Sequence, residues 1–343
     1  MRSPEDGSPR GSKVARIAVR GGALAVVLAA ASFGAYQLSP WPSALFYRYL
    51  MDKAGINSAG ALQKYVPTNL TSWTNQPYGP DRDSVLDVFY PWDLEKTSKT
   101  LPAIVWIHGG GFISGGKDQI ANYLRVIAGK GYVVIGVNYR LAPSARYPEP
   151  LHQVNTALAF LMKNMEPFHI DRSRIILAGD SAGAQIAAQM ANIVSVPLYA
   201  KAVGISPAID RKQLAGTILH CGLYDAKLLR VEGSFAGFLQ AVGWSYFGEK
   251  DFHKSRKLGE FSVVDHVTAD YPPVFITAGN ADPLLPHSLS MAERLEAKGV
   301  AVDRLFFASD HKPPLGHEYQ FNLDTEAGRL ALERTLKFLA SLP

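Results

Sequence analysis

Residues 174–183, RIILAGDSAG, run a short apolar stretch directly into a tight turn and then into a helix of small residues. The apolar run reads as a buried strand, and Gly179-Asp180-Ser181-Ala182-Gly183 supplies the pattern G-x-S-x-G at its end. A strand-to-helix turn this sharp forces its central serine into strained backbone geometry, so the positions two away on either side must be small. The helix that follows aims its free N–H groups and positive dipole end at that serine, which favours developing negative charge. A Ser–Gly turn that merely caps a helix is the bland alternative. The strand before the turn and the small-residue helix after it favour an exposed nucleophile, Ser181.

Working outward, residues 84–90 (SVLDVFY) alternate like a half-buried strand. Residues 101–107 (LPAIVWI) and 132–138 (YVVIGVN) are near-continuous apolar runs, as parallel strands buried on both faces are. Residues 118–130 have helical spacing and stop at Gly131. Residues 217–221, 274–278 and 303–307 continue the strand series, and an amphipathic helix over 325–342 closes it. Strands alternating with helices predict a mostly parallel central sheet covered by helices on both faces. Residues 40–75 and 226–265, the latter with Trp244, Tyr246 and Phe247, fit the alternation poorly. Both are expected as helical cap elements over the C-terminal edge of the sheet, where open α/β sheets bind ligands. The three aromatic residues line an acyl pocket there or fill the core of the cap.

A second chemical element follows the strand at 101–107. His108-Gly109-Gly110-Gly111-Phe112 brings bare backbone close to a ligand. Its amides, with that of Ala182, suit a developing oxyanion, each such donor being worth ~3 kcal/mol in a dry site. A phosphate loop is the competing use of glycines, but Gly116-Lys117 is followed by Asp118 rather than Ser or Thr. His108 reads as a residue that orders this loop. The base must then lie after Ser181 and after its acid if the chain order is Ser, Asp or Glu, His. His287, His311 and His317 are in range, and spacing favours His317 over His311 on the same loop. Asp282 and Asp225 both follow strand ends, and either could hold the imidazole in its productive tautomer.

The segments HGGGF (108–112), NYRLAPSARYPEPL (138–151), DRSRIILAGDSAG (171–183), GNADPLL (279–285) and LGHEY (315–319) occur in order. Together, over about 80–335, they resemble the hormone-sensitive-lipase-like branch of the α/β-hydrolase fold, which includes bacterial carboxylesterases. The resemblance implies Ser181 as nucleophile, Asp282 as acid and His317 as base, with Gly109, Gly110, Gly111 and Ala182 as the oxyanion hole. Asp180 and Glu149 look like the family's structural acids. Two departures stand out: Glu318-Tyr319 after the base, where the family has a small residue and then Phe, and a long, proline-rich 309–316 (SDHKPPLG). What this implies is a serine carboxylesterase acting through an acyl-enzyme on a small-molecule ester. The aromatic cover over 226–265 and 40–75 adds a preference for short to medium acyl chains. An amidase or formamidase using the same residues is the alternative, and a non-catalytic binding protein on this fold is a more distant one.

Composition narrows the field further. Of 343 residues, 47% are hydrophobic and 19% charged, enough for a large core. The net charge of +5 is concentrated at the start, where residues 1–20 hold five positive and two negative side chains, so no nucleic-acid face is implied. One cysteine, Cys221, excludes an internal disulfide and a cysteine zinc cluster, and it reads as a buried, inert thiol. The histidines show no H-E-x-x-H spacing, and neither a metal nor a cofactor is expected. Residues 21–38 (GGALAVVLAAASFGAYQL) carry no charge behind that basic lead, which reads as an N-terminal signal or anchor over 1–38, preceding a catalytic domain over 39–343. Positive charge stays on the cytoplasmic side, which predicts a membrane-anchored enzyme with its catalytic domain outside. Cleavage near Ala31, releasing a secreted form, is the alternative. Trp41, Phe46, Tyr47 and Tyr49 then either meet the membrane interface or pack on the domain. Nothing in the sequence sets an oligomeric state.

Overall fold

A computed structural model describes residues 20, 28–229 and 231–343. Among the described residues the helices that follow residue 40 are α1 (Trp41–Leu62), α2 (Lys117–Ala128), α3 (Glu149–Lys163), α4 (Ala182–Ser195), α5 (Pro197–Val203), α6 (Ala236–Phe247), α7 (Lys257–Phe261), α8 (Leu285–Ala297) and α9 (Glu326–Ser341). The strands are β1 (Leu70–Pro77), β2 (Val85–Pro91), β3 (Leu101–Ile107), β4 (Val133–Val137), β5 (Ile170–Asp180), β6 (Leu214–His220), β7 (Val274–Ala278) and β8 (Val302–Phe306). They form one sheet in the order β1-β2-β4-β3-β5-β6-β7-β8. β2 runs antiparallel to both neighbours, and every pairing from β4 to β8 is parallel.

Alternation along the buried strands feeds two cores, one on each face. Val105 and Ile107 point with Ile135, Leu177 and Leu219 into the face covered by α3, α4 and α8. Ile104 and Trp106 point with Val134, Ile176 and Phe275 into the face covered by α2 and α9. Strands that are apolar at every position are therefore read from both sides. The chain leaves β3 for β4 on one side and then crosses back to β5 on the other. The crevice outside the carboxyl ends of β3 and β5 is thus the switch point where such sheets bind ligands. The glycine loop 108–112 and Ser181 begin at those two ends.

Residues 40–75 divide between a helix and an edge strand, which corrects the expectation of a single cap element. β1 pairs with β2 from Leu70↔Pro91 to Pro77↔Val85. Its sequence, LTSWTNQP, hides the strand because an edge strand exposed to water needs no apolar face. Residues 226–265 form α6, α7 and short 3-10 turns. Tyr47 of α1 packs edge-on against Phe238 of α6, with ring centroids 5.3 Å apart, while Trp41, Phe46 and Tyr49 are exposed. Residues 28–38 are helical, whereas 21–27 of the expected anchor lie outside the described residues. Among the described residues no helix is long and apolar enough to cross a membrane.

Candidate active site

Ser181 sits at φ 51°, ψ −118°, an arrangement that an L-residue adopts only under constraint. The constraint is visible on both sides of it. A side chain at Gly183 would collide with the carbonyls of Ile107 and His108, and one at Gly179 would collide with the backbone of Gly183. The Ser181 N–H donates to the His220 carbonyl of β6 at 2.8 Å, so the turn is anchored to the neighbouring strand.

His317 and Asp282 reach this serine from two loops that brace each other. Asn280 donates through Nδ2 to the carbonyls of Ser309 and His311 and accepts the Leu315 N–H at 2.9 Å. The Ala281 N–H in turn donates to the Leu315 carbonyl at 2.9 Å. The long 309–316 segment is thereby tied to the loop that carries Asp282. His317 Nε2 lies 3.0 Å from Ser181 Oγ, and its Nδ1 lies 2.9 Å from Asp282 Oδ2. The carboxylate only accepts, so in the neutral imidazole Nδ1 carries the proton and Nε2 is left to accept from the serine hydroxyl. Asp282 is fully buried, and its Oδ1 accepts the Leu284 N–H at 2.7 Å.

The alternative residues are engaged elsewhere. His311 packs against Phe307 with centroids 4.8 Å apart. Asp225 accepts from the Lys227 N–H and from Ser290 Oγ, both at 2.9 Å. His287 Nδ1 accepts the Asp225 N–H at 3.3 Å, and burial lowers its imidazole to about 4.

The glycine loop departs from expectation at one position. The Gly109 N–H donates to Asp180 Oδ2 at 2.8 Å, so it is committed to holding the loop and leaves the expected oxyanion set. The N–H groups of Gly110, Gly111 and Ala182 have no acceptor among the described residues. Gly110 needs to be glycine, since at φ 108° a side chain would also overlap the Ser114 carbonyl. His108 orders the loop as expected. Its ring stacks on Tyr139 at 4.3 Å and its Nδ1 meets the Gly109 carbonyl at 2.7 Å, while burial lowers it to about 4 and keeps it neutral. Lys117, the lysine of the near-phosphate loop, is buried against Asp87 at 3.0 Å and is not free for an anion.

Residues 104–310 match the family described as alpha/beta hydrolase fold. The chain belongs to that family, which contains the hormone-sensitive-lipase-like esterases. Among solved structures, esterase B from Lactobacillus rhamnosis superposes with a TM-score of 0.74 at 21% identity, covering 88% of this chain and 95% of that one. A hyperthermophilic esterase from the archaeon Pyrobaculum calidifontis gives 0.68 at 21% identity over 92% and 97%. A thermostable carboxylesterase cloned from a metagenomic library gives 0.67 at 20% identity over 90% and 99%.

Against the family pattern noted in the sequence, this member carries a third carboxyl group at the site, Glu318, beside Asp282 and Asp180. Asp180 accepts from Trp106 Nε1 at 2.7 Å as well as from Gly109. Burial, and then the nearby charge of Glu318, push Asp180 well above the usual carboxylate range against those two donors. Glu318 takes a left-handed backbone at φ 59° and places Oε1 3.8 Å from His317 Nε2. Glu149, the other expected structural acid, is exposed in the first turn of α3.

Cys221 is buried next to His317. Its Sγ, an Asp282 oxygen and a His317 nitrogen lie within 4.8 Å of one another, close enough for a metal, although the Asp282–His317 hydrogen bond already accounts for that pair. Burial disfavours the imidazolium of His317, yet the Cys221 sulfur, the Asp282 hydrogen bond and Glu318 outweigh it and hold the imidazole well above its ordinary value. Burial also pushes up the Cys221 thiol, which is therefore uncharged near neutrality. The carboxylates are then the groups that favour imidazolium at neutral pH. The one sequence signal for the closeness of Cys221 to His317 is that Cys221 directly follows β6, the strand beside the one that leads into Ser181.

The glycine loop separates two cavities. One, about 270 Å³, is bounded by α1, Gly109, Gly110, His317, Glu318 and Phe321. The other, about 20 Å³, lies beneath α6 and is lined by Phe112, Val242, Tyr246 and Phe247 among other apolar side chains. Tyr246 stacks on Phe112 at 3.9 Å, so two of the three cap aromatics line this cavity. The third, Trp244, is half-buried, with Lys250 Nζ over its ring at 5.3 Å.

Proposed function

We propose that this chain is a serine carboxylesterase, with Ser181 as nucleophile, His317 as general base and acid, and Asp282 as the residue that orients the imidazole. The observation that carries the reading is the unbroken hydrogen-bonded chain from Ser181 Oγ through His317 to Asp282, at 3.0 and 2.9 Å. His317 Nε2 takes the hydroxyl proton as Oγ attacks the ester carbonyl, giving a tetrahedral oxyanion. The N–H groups of Gly110, Gly111 and Ala182 are the donors for that charge, each worth about 3 kcal/mol in the transition state. His317 then protonates the leaving alkoxide. A water deacylates the enzyme along the same path.

The acyl group goes to the apolar cavity beneath α6, since the alkoxide must leave beside Nε2. At about 20 Å³ this cavity supports a preference for short to medium acyl chains. The N-terminal run extends the reading to location: a membrane anchor at residues 21–38, with the catalytic domain outside the cytoplasm. Support comes from exposed Phe33 and Leu38 within it and from exposed Trp41, Leu45 and Tyr49 immediately after it. Cell fractionation with sequencing of the mature N-terminus tests that location, and an intact, soluble cytoplasmic chain contradicts it.

The experiment for the chemistry is Ser181→Ala assayed on p-nitrophenyl butyrate. We expect kcat/KM to fall ~10³-fold or more with the fold retained by circular dichroism. Activity within tenfold of the parent would overturn the mechanism.

A further inference from the structure

Glu318 occupies the position after the base, where the sequence departs from its family, and the cavity beside it differs chemically from the rest of the site. The leaving group must lie on the Nε2 side of His317, because Nε2 delivers the proton to the departing oxygen. Glu318 Oε1 stands 3.8 Å from that nitrogen and lines the larger cavity, with its side chain 36% exposed. Asp180 borders the same cavity, and both carboxyl groups crowd Gly109: a side chain there would meet Asp180 Oδ2 and Glu318 Oε1 together.

Among the described residues no lysine or arginine lines this cavity. With His317 neutral, as it must be to act as the base, the other polar residues of the lining cannot offset a carboxylate. His108 is held neutral by burial. Ser114 Oγ and Gln119 Nε2 donate to Asp52 Oδ1 at 2.7 and 3.1 Å. Burial, and then Glu318, push the Asp180 carboxyl upward, which favours its uncharged form behind Glu318. The rings of Phe321 and Tyr123 complete the wall. A carboxylate flanked by aromatic side chains is a combination that attracts ammonium groups through charge and ring quadrupole together.

We propose that Glu318, backed by Asp180, makes the leaving-group cavity select esters whose alcohol carries a positive charge, such as a quaternary ammonium or protonated amine. This rests on the esterase reading above and adds the class of alcohol. The ester bond is cleaved by the same steps, and Glu318 takes no part in proton transfer. It acts by positioning the cationic alcohol.

The test compares kcat/KM for choline butyrate, its neutral carbon isostere dimethylbutyl butyrate, and anionic sulfopropyl butyrate. Parent enzyme and Glu318→Gln are each counted by active-site titration with a fluorophosphonate. Because the readout is a ratio within one preparation, a loss of folded enzyme cancels. The parent is expected to favour the cationic ester over the neutral one about tenfold, with the anionic ester slowest. In Glu318→Gln the cation-to-neutral ratio should fall toward one while the anionic ester gains. A parent ratio near one, or a ratio untouched by Glu318→Gln, overturns the proposal while leaving the esterase reading intact. Failure to cleave any of the three esters, with Ser181 unlabelled, overturns the esterase reading itself.

Discussion

The two cavities on either side of the glycine loop differ in size and in chemistry. Beside His317 is a space of about 270 Å³ with two carboxyl groups in its wall; beneath α6 is one of about 20 Å³ lined by carbon. Both are built from the same short loop, whose Gly109 and Gly110 face the first and whose Phe112 faces the second. The difference teaches how a shared reaction centre can treat the two halves of one substrate independently. On the proposed reading, packing in the cap limits acyl length, and charge on the loop that carries His317 sorts the alcohol.

The contrast has meaning only if the hydrogen-bonded chain between the cavities performs the chemistry. His317→Ala should therefore reduce kcat/KM about 10³-fold or more, whereas His311→Ala, which packs on Phe307 away from the serine, should stay within about threefold. Equal damage from the two variants in steady-state assays would break the assignment. Asp282→Asn is expected next in size. It should cost about 100-fold or more by releasing the imidazole from its productive tautomer, while Asp225→Asn has a mild effect. Asp282 should matter less than Ser181, since its loss leaves nucleophile and base in place.

A smaller effect sharpens the apolar side. In a chain-length series of p-nitrophenyl esters, turnover of C4–C8 should exceed that of C16 by about tenfold at matched solubility. Val242→Ala, which removes two methyl groups from the cavity wall, should move the optimum toward longer chains. A wild-type optimum at C16 would contradict the small-cavity account. The smallest effect is on pH. Because the carboxylates favour imidazolium, and the base works only when neutral, kcat/KM should rise with pH along a limb above the ordinary imidazole range. Glu318→Gln removes one of those carboxylates, so this limb should move to lower pH. A shift to higher pH, read from a pH profile of the neutral ester, would show that Glu318 does not act on His317 through charge.

Much of this arrangement was legible in the sequence, and the exceptions share a cause. β3 and β7 occupy the expected 101–107 and 274–278 because a strand buried on both faces needs an unbroken apolar run. Ser181, Asp282 and His317 meet because each follows a strand end on one edge of the sheet. By contrast β1 lies at the sheet edge facing water, and its polar sequence carries no such mark. The Gly109 amide could not be told apart from its neighbours, since its acceptor, Asp180, is 71 positions away. Glu318 was visible as an unusual residue, but its pairing with Asp180 depends on two strand ends converging. Local periodicity records burial. It does not record which distant polar groups share a cavity.

Mapping the covalent adduct of a fluorophosphonate on the full chain tests the central claim most directly. Mass spectrometry of digested, labelled protein should place one equivalent of phosphonate on Ser181, coincident with complete loss of ester hydrolysis, and none on the Ser181→Ala variant. A stoichiometric adduct on any other residue, or hydrolysis that persists with Ser181 fully labelled, would contradict the account.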